Sequence, residues 1–364
     1  MPIADPQRIR FMLNFGQLVA TVQQNCHISD AQFAGDYTLC VFLLKMREFY
    51  RWENQIPYGG ALPREDVGRW MQEREQMWER LEASPFETVA LADHQIDPFD
   101  AEAVNRNLVP RGYVYSAGYG RFNKPHFFLG ELLRAEQRDG FQVYVSSCEY
   151  ARDLVAPPAM SQNGVIFLRQ ESLRRFLWER VEEWQWNRGN DAMAEAVAGY
   201  DFDTDVEAAL DRMTEAETES AILHELGETR AGRVLGPAWQ AMIAALARTK
   251  AEILARAVRD LLADCTVTLP GLIERGEPAA IHFFFANFTG MRRHLYPEAL
   301  DAYRRWTAGD RAALGALARS GAQRWLDTAH ELLSLHAGRG TEAGVAIENL
   351  LENPPGCQIL SAPH

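Results

Sequence analysis

A chain of 364 residues that is 47% hydrophobic is long enough to bury a large core, as one elaborate domain or as two that pack closely. Its formal net charge of -13 argues against nucleic acid and anionic membrane as main partners, because counterion release needs a basic surface; small molecules, metal ions and proteins remain. Five scattered cysteines, Cys26, Cys40, Cys148, Cys265 and Cys357, include no Cys-x-x-Cys pair, which predicts reduced thiols in a cytoplasmic protein. The N-terminus lacks the apolar core of an export signal, and the apolar runs Cys40–Leu44 and Ile281–Phe288 are too short to span a bilayer.

In chain order, Pro6 to about Arg80 reads as helix. Ile9, Met12, Leu13, Phe15, Leu18 and Val19 form one amphipathic face, and Ser29 or Asp30 is placed to cap a second helix. Within that helix, Thr38–Trp52 is apolar on every side, which predicts a place at the centre of a bundle. Residues 56–60 make a turn, and Arg64–Ala83 is a third, more solvated helix.

The middle of the chain changes period. Gly112–Tyr119, His126–Gln137, Phe141–Cys148 and Gly164–Leu168 are rich in aromatic and branched residues, and Asp139-Gly140 between two of these runs signals a hairpin. A small antiparallel sheet is expected, with Pro157-Pro158 in a loop inside it. From Glu171 onward helices return: Glu171–Trp186, Val206–Leu235, Pro237–Asp264, Pro278–His294, Pro297–Trp306 and Asp310–His336. Residues 187–205 are the expected flexible connection or lid, and the stretch from 353, with Pro354, Pro355, Gly356 and Pro363, the expected loose tail.

The fold class expected is therefore α+β and predominantly α-helical, a multi-helix bundle with a small antiparallel β-sheet inserted in the middle of the chain. The expected organisation is an N-terminal helical region (1–107), the sheet region (108–170), a C-terminal helical region (171–352) and the tail (353–364).

The chemistry centres on Val206–Leu235. At about 100° per residue, Glu217, His224 and Glu228 fall near the middle of its apolar side, where ionisable groups are costly unless paired or bound to a metal. The run His224-Glu225-Leu226-Gly227-Glu228 resembles the His-Glu-x-x-His signature of zinc metallohydrolases over five residues, with Glu228 standing where the second histidine would be. The resemblance implies His224 and Glu228 as metal ligands and Glu225 as general base toward a metal-bound water. Glu217 two turns earlier and His282, set in the apolar run Ile281–Phe288, complete the expected ligand set, for zinc, manganese or iron. A metal-dependent hydrolase acting on a small molecule or peptide is one reading. The other is a non-catalytic adaptor or structural protein in which the same residues form a buried ion-pair network with arginines, Arg230, Arg233 or Arg47 being the nearest in view.

Glu48 and His126 rank below these four as ligands. Gly118-Tyr119-Gly120-Arg121 with Lys124 offers glycine turns and basic groups for a phosphate, but the strand that follows replaces the helix N-terminus such loops use, so a hairpin with two exposed basic residues is the simpler expectation. No Gly-x-Ser-x-Gly elbow is present, and the paired Glu-x-x-His strings of a di-iron bundle are lacking.

Overall fold

The computed structural model describes residues 6–352 apart from 92, 93, 121, 122, 187 and 190, and not the side chains of residues 6–14 and 341. The expected loose tail, Cys357 and Arg121 lie outside the described residues, as do the side chains of Ile9, Met12 and Leu13 and two positions of the expected lid, Asn187 and Asn190. The chain divides into two compact units. Unit 1 holds the residues up to Glu182 together with Asp201–Thr218, and unit 2 holds Glu183–Tyr200 and the residues from Glu219 onward.

Unit 1 is built on a five-stranded sheet of β3 (Tyr113–Tyr119), β4 (Pro125–Arg138), β5 (Phe141–Arg152), β6 (Ala159–Gln162) and β7 (Val165–Arg169), in the order β3-β4-β5-β7-β6. The β4–β5 hairpin turns where expected, with Asp139 at φ 50° and Gly140 at φ 77°, the left-handed pair that a tight hairpin needs. The expectation of an antiparallel sheet is corrected in one place. After Pro157-Pro158 the chain forms edge strand β6 and returns as β7 between β6 and β5, so β5 and β7 pair in parallel, Val143 opposite Ile166 and Val145 opposite Leu168. The run Ile166-Phe167-Leu168 is accordingly buried throughout, as an inner strand covered on both faces should be.

A separate pair, β1 (Val89–Leu91) and β2 (His94–Ile96), precedes helix α4 (Ala101–Leu108). Helix α1 (Pro6–Phe33) lies across β4 and β5 and buries Leu18, Val22 and Cys26 against Tyr115, Phe127 and Leu129. It runs through Ser29 and Asp30, which cap nothing. The Ser29 hydroxyl donates to the carbonyl of Pro125 at 2.5 Å, and Asp30 takes Lys124 at 2.6 Å and the amide of Leu154 at 2.9 Å; distant partners win over the local cap.

Helix α2 (Leu39–Glu53) is not central either. Its second half buries Met46, Phe49 and Tyr50, whereas Leu39, Val41, Leu43 and Leu44 are exposed. Helix α3 (Arg64–Leu81) presents Trp78 to the same core.

Unit 2 is all helix among its described residues, and here the bundle expectation applies. It contains α6 (Ala192–Ala198), the greater part of α7 (Val206–Ala245), α8 (Lys250–Ala263), α9 (Leu269–Arg275), α10 (Pro278–Ala286), α11 (Gly290–Leu295), α12 (Glu298–Thr307), α13 (Ala313–Arg339) and α14 (Ala343–Glu352). A left-handed Gly236 followed by Pro237 breaks α7 near its end, since the proline lacks the amide that would continue the ladder.

The single helix expected over 237–264 is two. Arg248 adopts φ 65° and the Thr249 hydroxyl accepts from the amide of Glu252, capping α8. Helix is likewise interrupted between α10 and α11, where Gly290 takes φ 58°. The expected lid contains α6, capped by Asp191 and packed on α10 with Met193, Ala196 and Val197 buried. The core gathers Trp239, Leu254, Val258 and Leu261 with Leu314, Trp325 and Leu332. No helix is long and apolar enough to cross a membrane among the described residues.

Candidate functional site

On the unit 2 part of α7, Ile222 and Leu226 are buried and set the inward direction. His224 and Glu228 therefore fall at the margin of the buried face, with 37% and 23% of their side chains exposed. The imidazole Nε2 donates to Glu228 Oε1 at 3.2 Å, and Nδ1 lies 3.9 Å from Asp264 Oδ1. Glu228 Oε2 accepts from Arg259 of α8 at 2.7 Å, and the same guanidinium reaches Asp260 at 2.8 Å. Arg292 of α11 donates to Asp264 Oδ2 at 2.9 Å and to the carbonyl of Asn287 at 2.9 Å.

Three carboxylates thus meet three cations, once His224 is protonated. Protonation is what the surroundings favour. Burial pulls the imidazole down, but Glu228, Asp264 and Glu225 together outweigh it and raise it from 6.5 to about 9. Burial pushes Glu228 up, yet His224, Arg259 and Arg292 bring it from 4.5 down to about 2. Asp260, buried beside Glu228, is pushed up.

Gly227 has its explanation in the same place. A Cβ there would stand 3.0 Å from the carbonyl oxygen of Ala263 and 3.2 Å from its Cβ. The residue that weakens the helix is the one that lets α7 and α8 approach closely enough for Glu228 to reach Arg259.

The expected metal set is not gathered. Glu217 is buried on the stretch of α7 that belongs to unit 1, while His282 Nδ1 meets the Tyr303 hydroxyl at 2.7 Å with its ring against Trp306. Among the described residues no three His, Cys, Asp or Glu side chains are grouped so as to hold a metal ion. Glu225, the expected base, stands among the carboxylates that raise His224. The arginines in play are Arg259 and Arg292; Arg47 is engaged with Glu48 and Glu182 in unit 1, and Arg230 is exposed.

Unit 1 buries a second ionic system that the sequence did not suggest. Glu149 of β5 is held by Arg169 of β7 through contacts of 3.0 and 2.6 Å and by the Ser172 hydroxyl at 2.5 Å. Arg152 packs over the Trp52 ring at 4.7 Å, and Arg51 lies 3.3 Å from Glu48. His126 Nδ1 meets Asp153 Oδ2 at 2.7 Å. Lys124 is buried on Asp30, which corrects the expectation of an exposed basic hairpin. Burial pushes the Asp153 carboxyl up, but His126, Lys124 and Arg169 hold it far below the usual range.

Beside this system unit 1 has an open cavity of about 730 Å³, lined by the end of α2, the loop that follows, Leu133 of β4, Ser147 and Cys148 of β5, the start of α5 (Gln170–Trp186) and the first turns of α7. Tyr58 of that loop lies between two guanidiniums, Arg51 at 5.4 Å and Arg174 at 5.2 Å from its ring centre. Arg51 secures the loop by donating to the carbonyls of Pro57 and Gly60. Glu207 accepts from the amide of Gly59 at 3.0 Å and from Arg174 at 2.7 Å. Five stretches distant in sequence meet here, so no local motif points to it.

Fold and site together describe a mixed α/β protein of two units, each with a charge network inside its own structure. The chain belongs to the Family of unknown function (DUF6866), whose N-terminal domain matches residues 17–169 and whose C-terminal domain matches residues 174–354. No curated protein and no solved structure matches the chain.

Proposed function

We propose that the protein is a non-catalytic adaptor or structural protein, and that His224, Glu228, Arg259, Asp260, Asp264 and Arg292 form a clamp tying α7 to α8 and α11. The observation that carries this is the charge balance of the cluster, in which the imidazole and both guanidiniums are taken up by carboxylates 2.7–3.9 Å away. A hydrolytic metal site on the same helix would need a neutral imidazole, further ligands and an open coordination position. A clamp needs only paired charges and close helix packing.

The test is elemental analysis of protein purified without a histidine tag, alongside His224→Ala. Metal below one-tenth equivalent in the wild type, with a lowered unfolding midpoint in the variant, supports the clamp. Stoichiometric zinc, manganese or iron that is lost in a folded His224→Ala protein overturns it in favour of the hydrolase.

A further inference from the structure

The first half of α2 leaves apolar surface that the fold of unit 1 does not cover. Leu39 is 70% and Leu43 43% exposed, and an open groove of about 450 Å³ runs between this end of α2, the end of α1 and the last turns of α3. Its floor is apolar. Tyr37, Leu39, Phe42 and Trp78 line it, and Phe42 and Trp78 continue inward to Met46 and Phe49 of the core. A contiguous apolar surface with a polar rim is the usual mark of an interaction site.

The rim says what chemistry covers it. Glu75, Glu79 and Glu82 line one side of the groove, spaced four and three residues apart so that they share one face of α3. All three are exposed, and none forms an ion pair among the described residues. Nor does any described lysine or arginine line the groove: Lys45 lies over the Tyr37 ring at 5.9 Å, and Lys124 is buried on Asp30. A second copy of the chain is a poor match, since it brings a net charge of -13 to a rim that is already acidic, and an anionic lipid surface fails for the same reason. An extended segment needs the free backbone of a sheet edge, whereas these walls are helices that offer side chains. The complementary shape is a helix laid between them.

We propose that this groove binds a basic amphipathic helix of a partner protein, its apolar side chains on Leu39, Phe42 and Trp78 and its lysines or arginines against Glu75, Glu79 and Glu82. The inference supplies a partner class for an adaptor but stands on unit 1 alone. Metal content, which decides the clamp of unit 2, does not bear on it.

The experiment is fluorescence anisotropy of a labelled helical peptide, with leucines at i, i+3, i+4 and i+7 and lysines on the flanks, titrated with the full chain at physiological salt. The controls are the same residues in scrambled order and the same peptide with glutamate for every lysine. Saturable one-to-one binding is expected, about tenfold or more tighter than either control. Leu39→Ser, at a position outside the core, should weaken it about fivefold or more with the circular dichroism unchanged. Glu75→Lys with Glu79→Lys should weaken it about tenfold, and the same charge change at exposed Glu274 and Glu331 of unit 2 by less than about twofold. Absence of saturable binding overturns the proposal, as does equal binding of the scrambled peptide. An equal loss in the unit 2 pair overturns it too, because uptake would then belong to the diffuse charge of the chain. Self-association in sedimentation, or pelleting with phosphatidylglycerol vesicles, that Leu39→Ser abolishes would hand the groove to a second copy or to a membrane instead.

Discussion

Glu228→Gln removes the charge at the centre of the unit 2 network while keeping its shape. A carboxyl held at about 2 against an ordinary 4.5 corresponds to about 3 kcal/mol of stabilisation at neutral pH. With 23% of the side chain open to solvent, part of this is screened, and a loss of about 2 kcal/mol is expected. The pH dependence carries a sign from each partner. Glu228 is depressed, so its contribution is present above about 4.5 and fades as pH falls through about 2. His224 is raised, so its contribution is full below 6.5 and is lost as pH rises through about 9.

The stability gap between wild type and variant should therefore be widest between about 4.5 and 6.5 and narrow from 6.5 to 9. Hydrogen exchange of the α8 amides reads it locally, without requiring the whole chain to unfold in one step. A gap below about 0.5 kcal/mol, the usual size for substitutions away from any special contact, would refute the reasoning. A gap constant from pH 6 to 10 would refute it equally, because Glu228 would then owe nothing to the imidazolium.

Further outcomes follow from the same geometry. Gly227→Ala should fail to give the gain of about 1 kcal/mol that the exchange brings inside most helices, and should instead destabilise by about 1 kcal/mol, since the new methyl meets the Ala263 carbonyl at 3.0 Å; an increase in thermal midpoint would count against close α7–α8 packing. Glu149→Gln leaves Arg169 buried without its charge partner and should cost about 3–5 kcal/mol in urea unfolding; a loss under 1 kcal/mol would show that the pair is not buried. Gly140→Val places a branched residue at φ 77° and should destabilise unit 1 by about 1–3 kcal/mol, read by hydrogen exchange of β4 and β5.

Much of the backbone was legible in the sequence because it is governed locally. The helical periods of 64–83, 171–186 and 206–235 and the Asp139-Gly140 turn depend on neighbours within a few residues, and they stand near where periodicity put them. What failed depended on partners far along the chain. Asp30 looks like a helix cap until Lys124 and Leu154 are brought to it. The apolar first half of α2 looks like core because composition cannot say which side of a helix the rest of the fold will cover. β6 escaped notice because a four-residue strand beside two prolines has little period of its own.

The candidate site shows where that limit falls in chemical terms. A histidine and a glutamate one turn apart on a half-buried helix face are compatible with a metal or with an ion pair, and the backbone that presents them is the same in both cases. The choice is made by the third group that arrives. A neutral nitrogen or another carboxylate would leave excess negative charge and room for a cation; a guanidinium takes up part of that charge, and the carboxylates Glu228, Asp264 and Glu225 hold the proton on the histidine. Here the third groups are Arg259 at 2.7 Å from Glu228 and Arg292 at 2.9 Å from Asp264, one on the next helix of the bundle and one three helices beyond that. The five-residue likeness to a zinc signature fixes only the first two members of the set, and that is why the same string supports a clamp.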